Sequence, residues 1–185
     1  MGMVYFNNRI LSSRFNINLS RWKRWCREFL PPDPLGGMQS GYARQLTRDD
    51  AFTVYLGGHL VRDLRFSIPD AKQILADLHD WLAASGFYQI ARRTPEDAAP
   101  VDRPVSAYQI YITAGPERRM RYMVRGLLSE TVTPIARGTI RENRYWEYVL
   151  GCGHASPHSL SPETIYLVNI TAVHRRFLKL LAADD

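Results

Sequence analysis

Apolar positions in the first half of the chain recur with the period of an α-helix. The clearest case is the segment 19–29, whose apolar residues are spaced i, i+3, i+4, i+7 and form one stripe: Trp22, Trp25, Cys26 and Phe29. Asn18 precedes this segment as an expected N-cap, because its side-chain oxygen can accept from the free N–H groups of the first turn. Pro31 and Pro32 end the helix. The pattern predicts a helix over residues 19–29 with one buried side.

A shorter helix is predicted over residues 6–14, with Ile10 and Leu11 facing inward. The turn Asn16-Ile17-Asn18 separates it from the helix over 19–29. Two helices of these lengths, joined by a three-residue turn, have the dimensions of a helix-turn-helix.

Two further helices follow a stretch over residues 33–45 that is rich in Gly and Pro and is expected to be a loop or tight hairpin. Thr47 and Asp50 form a predicted capping box, which opens a helix extending to about Arg62. Ser67 is the expected cap of a helix over 70–84.

After Gly86 the pattern changes to the partial alternation typical of β-strands. The predicted strands cover residues 87–91, 107–113, 119–127, 131–140 and 165–171. Loops are expected over 94–104 and 151–162, and a final helix over 172–183. The predicted fold class is α+β, with an N-terminal helical domain over 1–85 and a β-rich domain over 86–185 that ends in a helix.

Positive charge is concentrated near the N-terminus. Residues 1–48 contain eight basic and two acidic residues, and this difference equals the whole net charge of +6. A basic segment beside a neutral remainder favours a polyanion as partner. On the helix over 19–29, the polar and basic residues fall opposite the apolar stripe: Ser20, Arg21, Lys23, Arg24 and Arg27. Such a face suits the major groove of DNA, where Arg pairs well with guanine.

Composition narrows the class of protein further. The chain has 185 residues, of which 45% are hydrophobic and 11% aromatic, enough for a packed core. No run of about 18 apolar residues appears, so no membrane partner is expected. The N-terminus lacks the apolar core of a signal peptide, and the cysteines Cys26 and Cys152 lie too far apart in sequence to suggest a disulfide framework. These features predict a cytoplasmic protein.

The segments around the basic helix also carry a family resemblance. Leu30-Pro31-Pro32 ends the helix, Gly41-Tyr42-Ala43-Arg44 follows the Gly-rich stretch, and Thr47-Arg48-Asp49-Asp50-Ala51 opens the next helix. With the helix over 19–29, this order resembles the MerR-type winged helix-turn-helix. In that family a recognition helix ends in Leu-Pro or Pro-Pro, and a short wing with a Gly-Tyr/Arg-x-Arg element leads into a Thr-x-x-Asp-Ala helix. The resemblance covers roughly residues 4–82.

The resemblance implies that the outward residues of the helix over 19–29 contact the major groove, and that the wing contacts the flanking DNA backbone. The residues expected to bind DNA are Asn18, Ser20, Arg21, Lys23, Arg24, Arg27, Gln39, Ser40, Tyr42 and Arg44. The sequence departs from the family after the wing glycine, where Tyr42-Ala43-Arg44-Gln45-Leu46 stands in place of the usual Arg-Tyr. The family's long dimer helix is not evident either, because the helix over 70–84 is short and strands follow it.

Other candidate chemistry is weak. Cys152, His154 and His158 have the spacing of metal ligands, but no second pair of ligands stands near them in sequence, so no metal site is predicted. No Gly-rich phosphate loop and no nucleophile–base motif appears, so neither an enzyme nor a cofactor is expected. A second basic cluster is formed by Arg118, Arg119, Arg121 and Arg125, and it is expected to be a solvated strand face paired with nearby acids.

The sequence therefore predicts a sequence-specific transcription regulator that binds double-stranded DNA. We expect a homodimer that binds a palindromic operator and is held together by residues 86–185, a domain that could also sense a small-molecule effector. Two alternatives remain open. One is a DNA-architectural protein, similar to an excisionase or a partition protein. The other is a ligand-binding or protein-interaction module whose basic helix meets an acidic partner.

Overall fold

The computed structural model describes residues 5–33, 44–88, 107–114, 120–150 and 164–183. In these residues the chain is an α+β protein with five helices and two antiparallel sheets. It divides into two compact units. The N-terminal unit comprises residues 1–99 together with 174–185, and the C-terminal unit comprises residues 100–173.

The N-terminal unit is mainly helical. Its elements are β1 (Phe6–Asn7), α1 (Asn8–Arg14), α2 (Leu19–Phe29), β2 (Gln45–Leu46), α3 (Arg48–Arg62), α4 (Ile68–Ala84) and, from residue 174 onward, the end of α5 (Ile170–Leu181). Strands β1 and β2 pair antiparallel, with Phe6 opposite Leu46. This pair joins the segment before α1 to the segment before α3.

Side-chain caps fix where these helices begin. The Asn7 side chain accepts a hydrogen bond from the Ile10 N–H at 2.9 Å and opens α1. Thr47 and Asp50 form the expected capping box at the start of α3, with both reciprocal bonds present. Ser67 accepts from the Asp70 N–H at the start of α4. Each cap satisfies an N–H group that the first helical turn leaves without a partner.

Aromatic rings fill the centre of the N-terminal unit. The ring of Phe15 lies 5.0 Å from that of Tyr55 and 5.5 Å from that of Phe177. Phe52 and Phe177 are 5.2 Å apart, and Phe177 has no exposed surface. The end of α5 is therefore an integral part of this core, beside α1 and α3.

The C-terminal unit contains a four-stranded antiparallel sheet. Its strands are β3 (Ala107–Ala114), β4 (Met120–Ile135), β5 (Gly138–Val149) and β6 (Tyr166–Val168), in the order β5-β4-β3-β6. Ile110 lies opposite Val124 on one side and Val168 on the other, and all three are buried. One face of the sheet is thus apolar. Beyond an irregularity in pairing between Leu127 and Ser129, strands β4 and β5 continue as a two-stranded ribbon.

The structure confirms the coarse α+β prediction and corrects several element boundaries. The first helix begins at Asn8 and not at residue 6, because Asn7 caps it, and Ile10 is 39% exposed where burial was predicted. Phe87 and Tyr88 are buried but are not in a strand, and residues 89–91 lie outside the described residues. The loops expected over 94–104 and 151–162 also lie outside them.

The largest correction concerns strands β4 and β5. Strand β4 covers the strand predicted over 119–127 from residue 120 on, and it also covers the first half of the one predicted over 131–140. The chain turns at residues 136–137, and the rest of the second predicted strand belongs to β5. Polar residues near position 129 do not break the strand, because the ribbon is exposed on both faces there. The strand predicted over 165–171 is also shorter. Asn169 accepts a hydrogen bond from the Ala172 N–H at 2.9 Å, so the helix already begins at Ile170.

None of the helices in the described ranges is both long and apolar enough to cross a lipid bilayer.

Candidate nucleic-acid interface

Helix α2 is held by one buried side. Trp22 has no exposed surface, and Trp25 and Cys26 are almost completely buried. The indole Nε1 of Trp22 donates a hydrogen bond to Oδ1 of Asn8 at 3.1 Å, and the Cys26 thiol donates to the same oxygen at 3.3 Å. Because Asn8 is on α1, these two bonds fix the rotation of α2 about its own axis as well as its position.

Two adjacent glycines on α3 allow α2 to approach closely. A Cβ atom at Gly57 would lie 2.6 Å from Cδ2 of Phe29, and one at Gly58 would lie 2.6 Å from Cε3 of Trp25. Real Cβ contacts are longer than this, so the rings of α2 rest directly on the backbone of α3. The close contact gives the basic helix a rigid support.

The opposite side of α2 is open to solvent. Ser20, Arg21, Lys23, Arg24 and Arg27 are all exposed. In the part of the chain that the structure describes, no acidic side chain lies within ion-pair distance of any of the four cations. The one acid on this helix, Glu28, lies 3.9 Å from Lys72 of α4, away from the basic side. The exposed cations thus keep their charge for an external anion.

The N-terminus of α2 adds to this positive potential. Asn18 is exposed, and its Oδ1 accepts hydrogen bonds from the N–H groups of Ser20 at 3.0 Å and Arg21 at 3.3 Å. No acidic residue occupies the first turn. A helix N-terminus carries a partial positive charge, which here is not offset by a nearby carboxylate. The Asn18 side-chain oxygen therefore forms the predicted N-cap, and the residue itself is exposed.

Arg44 is half-buried and has an internal partner. Its Nη2 atom donates a hydrogen bond to the backbone oxygen of Pro31 at 2.9 Å. Arg44 therefore ties the chain leaving α2 to the chain entering β2, a role that the sequence did not suggest. Gln39, Ser40 and Tyr42, the other expected contacts from the wing, lie outside the described residues.

No family model, no curated protein and no solved structure matches this chain. The MerR-type resemblance therefore stays a prediction, and the residues of α2 and its neighbours are the support for the interface.

The geometry brings six of the ten expected residues to the exposed side of one helix and its cap: Asn18, Ser20, Arg21, Lys23, Arg24 and Arg27. Sequence reasoning missed the residues that hold this helix in place. The pair Gly57-Gly58 inside a predicted helix was an available signal, since glycine in a helix usually has a packing reason. Asn8 gave no such signal, because its partners are 14 and 18 residues away.

Other candidate groups do not form a second site. Burial raises the pKa of the Cys26 thiol to about 12, so this cysteine is a core thiol, as the sequence predicted. Among the described residues no group of three or more His, Cys, Asp or Glu side chains could hold a metal ion, and Cys152, His154 and His158 lie outside those residues.

Arg125 of the second basic cluster has an acidic partner. The Arg125 guanidinium forms an ion pair with Glu147 and lies 4.9 Å and 5.1 Å from the ring centres of Tyr111 and Tyr145. The pairing expected for the cluster is thus present at Arg125, and Arg121 is exposed. Arg118 and Arg119 lie outside the described residues.

Proposed function

We propose that this protein binds double-stranded DNA sequence-specifically through the exposed side of α2 and acts as a transcription regulator. One observation carries the proposal. Four cations, Arg21, Lys23, Arg24 and Arg27, share the solvent side of a helix whose other side is anchored by buried tryptophans. A firmly packed helix with exposed cations on its outer side fits the major groove, which is lined by phosphates.

The positions along the helix suggest a division of roles. Ser20 and Arg21 lie in the first turn of α2, at the positive end of the helix dipole, where an anionic phosphate is favoured. Arg24 and Arg27 lie one turn apart on the outermost side, from which a guanidinium can reach the O6 and N7 atoms of guanine. We therefore assign sequence preference mainly to Arg24 and Arg27, and orientation on the backbone to the remaining cations.

A regulator of this kind needs more than one such helix. A single short helix contacts few base pairs and neutralises few phosphates, so its affinity and selectivity are low. Two helices held in one homodimer read two half-sites, which implies a palindromic operator. We propose that residues of the C-terminal unit provide the link between the copies.

The direct test is a fluorescence-anisotropy titration of the full chain against random and selected duplexes at several salt concentrations. Affinity should fall steeply with salt, because bound counterions are released from each neutralised phosphate. Arg24→Ala and Arg27→Ala should each lose about 1–3 kcal/mol on the selected duplex and much less on random duplex. The matched control is Arg62→Ala, since Arg62 is in the same unit but is already paired with Asp63 at 2.7 Å.

The result that overturns the proposal is binding that is absent or insensitive to salt. Salt-dependent binding with equal affinity for every duplex would favour the architectural alternative. Tight binding of an acidic peptide, with no binding of duplex, would favour the protein-interaction module.

A further inference from the structure

Strand β5 lies at the edge of the sheet among the described strands, with β4 on one side and no strand on the other. Every residue from 129 to 145 of the β4–β5 ribbon is exposed, including three large apolar side chains: Val132 at 53%, Ile135 at 50% and Ile140 at 54%. A two-stranded ribbon is only marginally stable in water. An open edge with apolar residues is a template for pairing with another strand.

Geometry limits how a second copy of β5 can pair with the first. In an antiparallel pair, opposed residues both turn their N–H and C=O groups toward each other or both turn them away. These directions alternate from one residue to the next along a strand. When two copies pair through the same edge, a residue of one copy can therefore oppose only a residue of the other copy whose number differs from its own by an even number. The pairing of β4 with β5 advances by single residues along β5 without an insertion there. In each two-fold symmetric register, one central residue therefore lies opposite its own copy.

Like-charge repulsion disfavours three of these centres, and ion pairing favours another. A register centred on Arg141, Glu142 or Arg144 places that residue opposite its own copy, with like charges in contact. A register centred on Asn143 places Glu142 opposite Arg144 of the second copy, and Arg144 opposite Glu142. The same register places Ile140 opposite Trp146 of the second copy.

We propose that two copies of this chain form a two-fold dimer by antiparallel pairing along β5, with Asn143 of each copy opposite Asn143 of the other. Such an interface is self-complementary, since every contact occurs twice. Ile140 covers Trp146, which is only half-buried in the single chain. The end of α5, in contrast, offers no free apolar stripe, because Phe177 and Leu181 are buried in the N-terminal unit. The dimer does not depend on DNA binding.

The first test is a charge exchange, read by sedimentation velocity at micromolar concentration. Glu142→Arg and Arg144→Glu should each weaken self-association roughly tenfold or more, because each places like charges opposite each other twice. The double variant restores both pairs in the proposed register and should recover the dimer. Both side chains are exposed, so each variant should fold, which far-UV circular dichroism checks.

The second test reads the register directly by disulfide cross-linking in a Cys152→Ser background, in which the remaining Cys26 is buried. Opposed Cα atoms in an antiparallel pair lie about 4.5–5.5 Å apart, within the range that a disulfide spans. Asn143→Cys should therefore form a covalent dimer under mild oxidation. Thr139→Cys is the matched control, since it is exposed on the same strand but would lie ~26 Å from its copy.

A wild-type chain that is monomeric at micromolar concentration overturns the proposal, as does a dimer whose mass is unchanged in both single charge variants. Cross-linking of the Thr139→Cys variant in preference to the Asn143→Cys variant rejects the register. If the single charge variants change DNA affinity but not mass, the ribbon is a DNA contact and the dimer proposal fails. If the chain is monomeric and still binds DNA, the proposed interface is wrong and the proposed role of α2 is unaffected.

Discussion

Gly58 on α3 leaves just enough room for the indole ring of Trp25 on α2. A Cβ atom at position 58 would lie 2.6 Å from Cε3 of that ring, which is closer than packed carbon atoms approach. Trp25 itself is only 4% exposed, so the ring has little freedom to move away. The distance between α2 and α3, and with it the placement of the basic side, depends on this one missing side chain.

Gly58→Ala should therefore lower the free energy of unfolding. Overpacking of a core costs about 1–3 kcal/mol, which outweighs the ~1 kcal/mol that alanine contributes to an isolated helix. Urea denaturation measures the change. In a Trp25→Leu background the ring is absent, so the same glycine substitution should be neutral or stabilising. An equal loss in both backgrounds would mean that the ring is not the cause.

Variants of Asn18 distinguish the stability of α2 from its proposed role in DNA binding. Asn18→Ala removes the acceptor for two backbone N–H groups and should lower the free energy of unfolding by about 1 kcal/mol. Asn18→Asp keeps the cap and favours the helix dipole, so stability should be retained. DNA affinity should nevertheless fall, because a carboxylate then lies beside the basic side.

Thermal melting and anisotropy titrations on the same preparations check this separation. Asn18→Ser is the matched control, since it keeps a capping oxygen without charge and should leave both quantities close to wild type. If Asn18→Asp binds DNA as tightly as Asn18→Ser at low salt, then the N-terminus of α2 does not face the DNA.

Helix α2 is predictable from sequence alone, and its observed bounds match the predicted ones, because its determinants are local. The cap, the apolar stripe and the prolines all lie between Asn18 and Pro32. The same holds for the capping box of α3. Exposure of the basic residues follows from the same helical period, since a buried stripe fixes which side faces solvent.

The rest of the site depends on contacts between distant segments. The bonds from Trp22 and Cys26 to Asn8 require α1 and α2 to be already packed together. The pairing of Arg44 with Pro31 requires the chain to return to the end of α2. In the C-terminal unit, the sequence did not reveal that β4 is one long strand. Apolar and polar residues do not alternate in the β4–β5 ribbon, because both of its faces are exposed to solvent. Periodicity carries no information about any of these contacts.

Arg44→Ala should weaken binding to all duplexes nearly equally, since a wing cation is expected to contact phosphate and not a base. The slope of log affinity against log salt should fall by about one. Loss of the hydrogen bond to Pro31 should also reduce stability by about 0.5–1.5 kcal/mol. Gln45→Ala, an exposed and uncharged neighbour, is the control for both measurements. A loss confined to one duplex sequence would instead assign base contacts to Arg44.

His174 predicts how stability changes with pH. Its ring lies 4.8 Å from that of Phe52 and 5.2 Å from that of Phe87, and its Nε2 atom is buried without a hydrogen-bond partner in the described chain. Burial lowers the pKa of this imidazole, and the nearby Arg48 lowers it further, although Asp49 acts in the opposite direction. The folded protein thus holds His174 neutral at a pH where the unfolded chain would protonate it.

The direction in which the free energy of unfolding changes with pH follows from which state binds the proton more readily. Above about pH 6.5 the imidazole is neutral in both states and stability does not depend on it. As the pH falls below that value, the unfolded chain binds a proton first, so the free energy of unfolding decreases. Urea denaturation at a series of pH values should show this decrease for the wild type and a smaller one for His174→Gln. His79→Gln, at an exposed histidine of α4, is the matched control. Asp63, whose pKa Arg62 lowers to about 2, contributes at more acidic pH. An identical slope in the wild type and His174→Gln would show that His174 is protonated equally easily in the folded and unfolded chain.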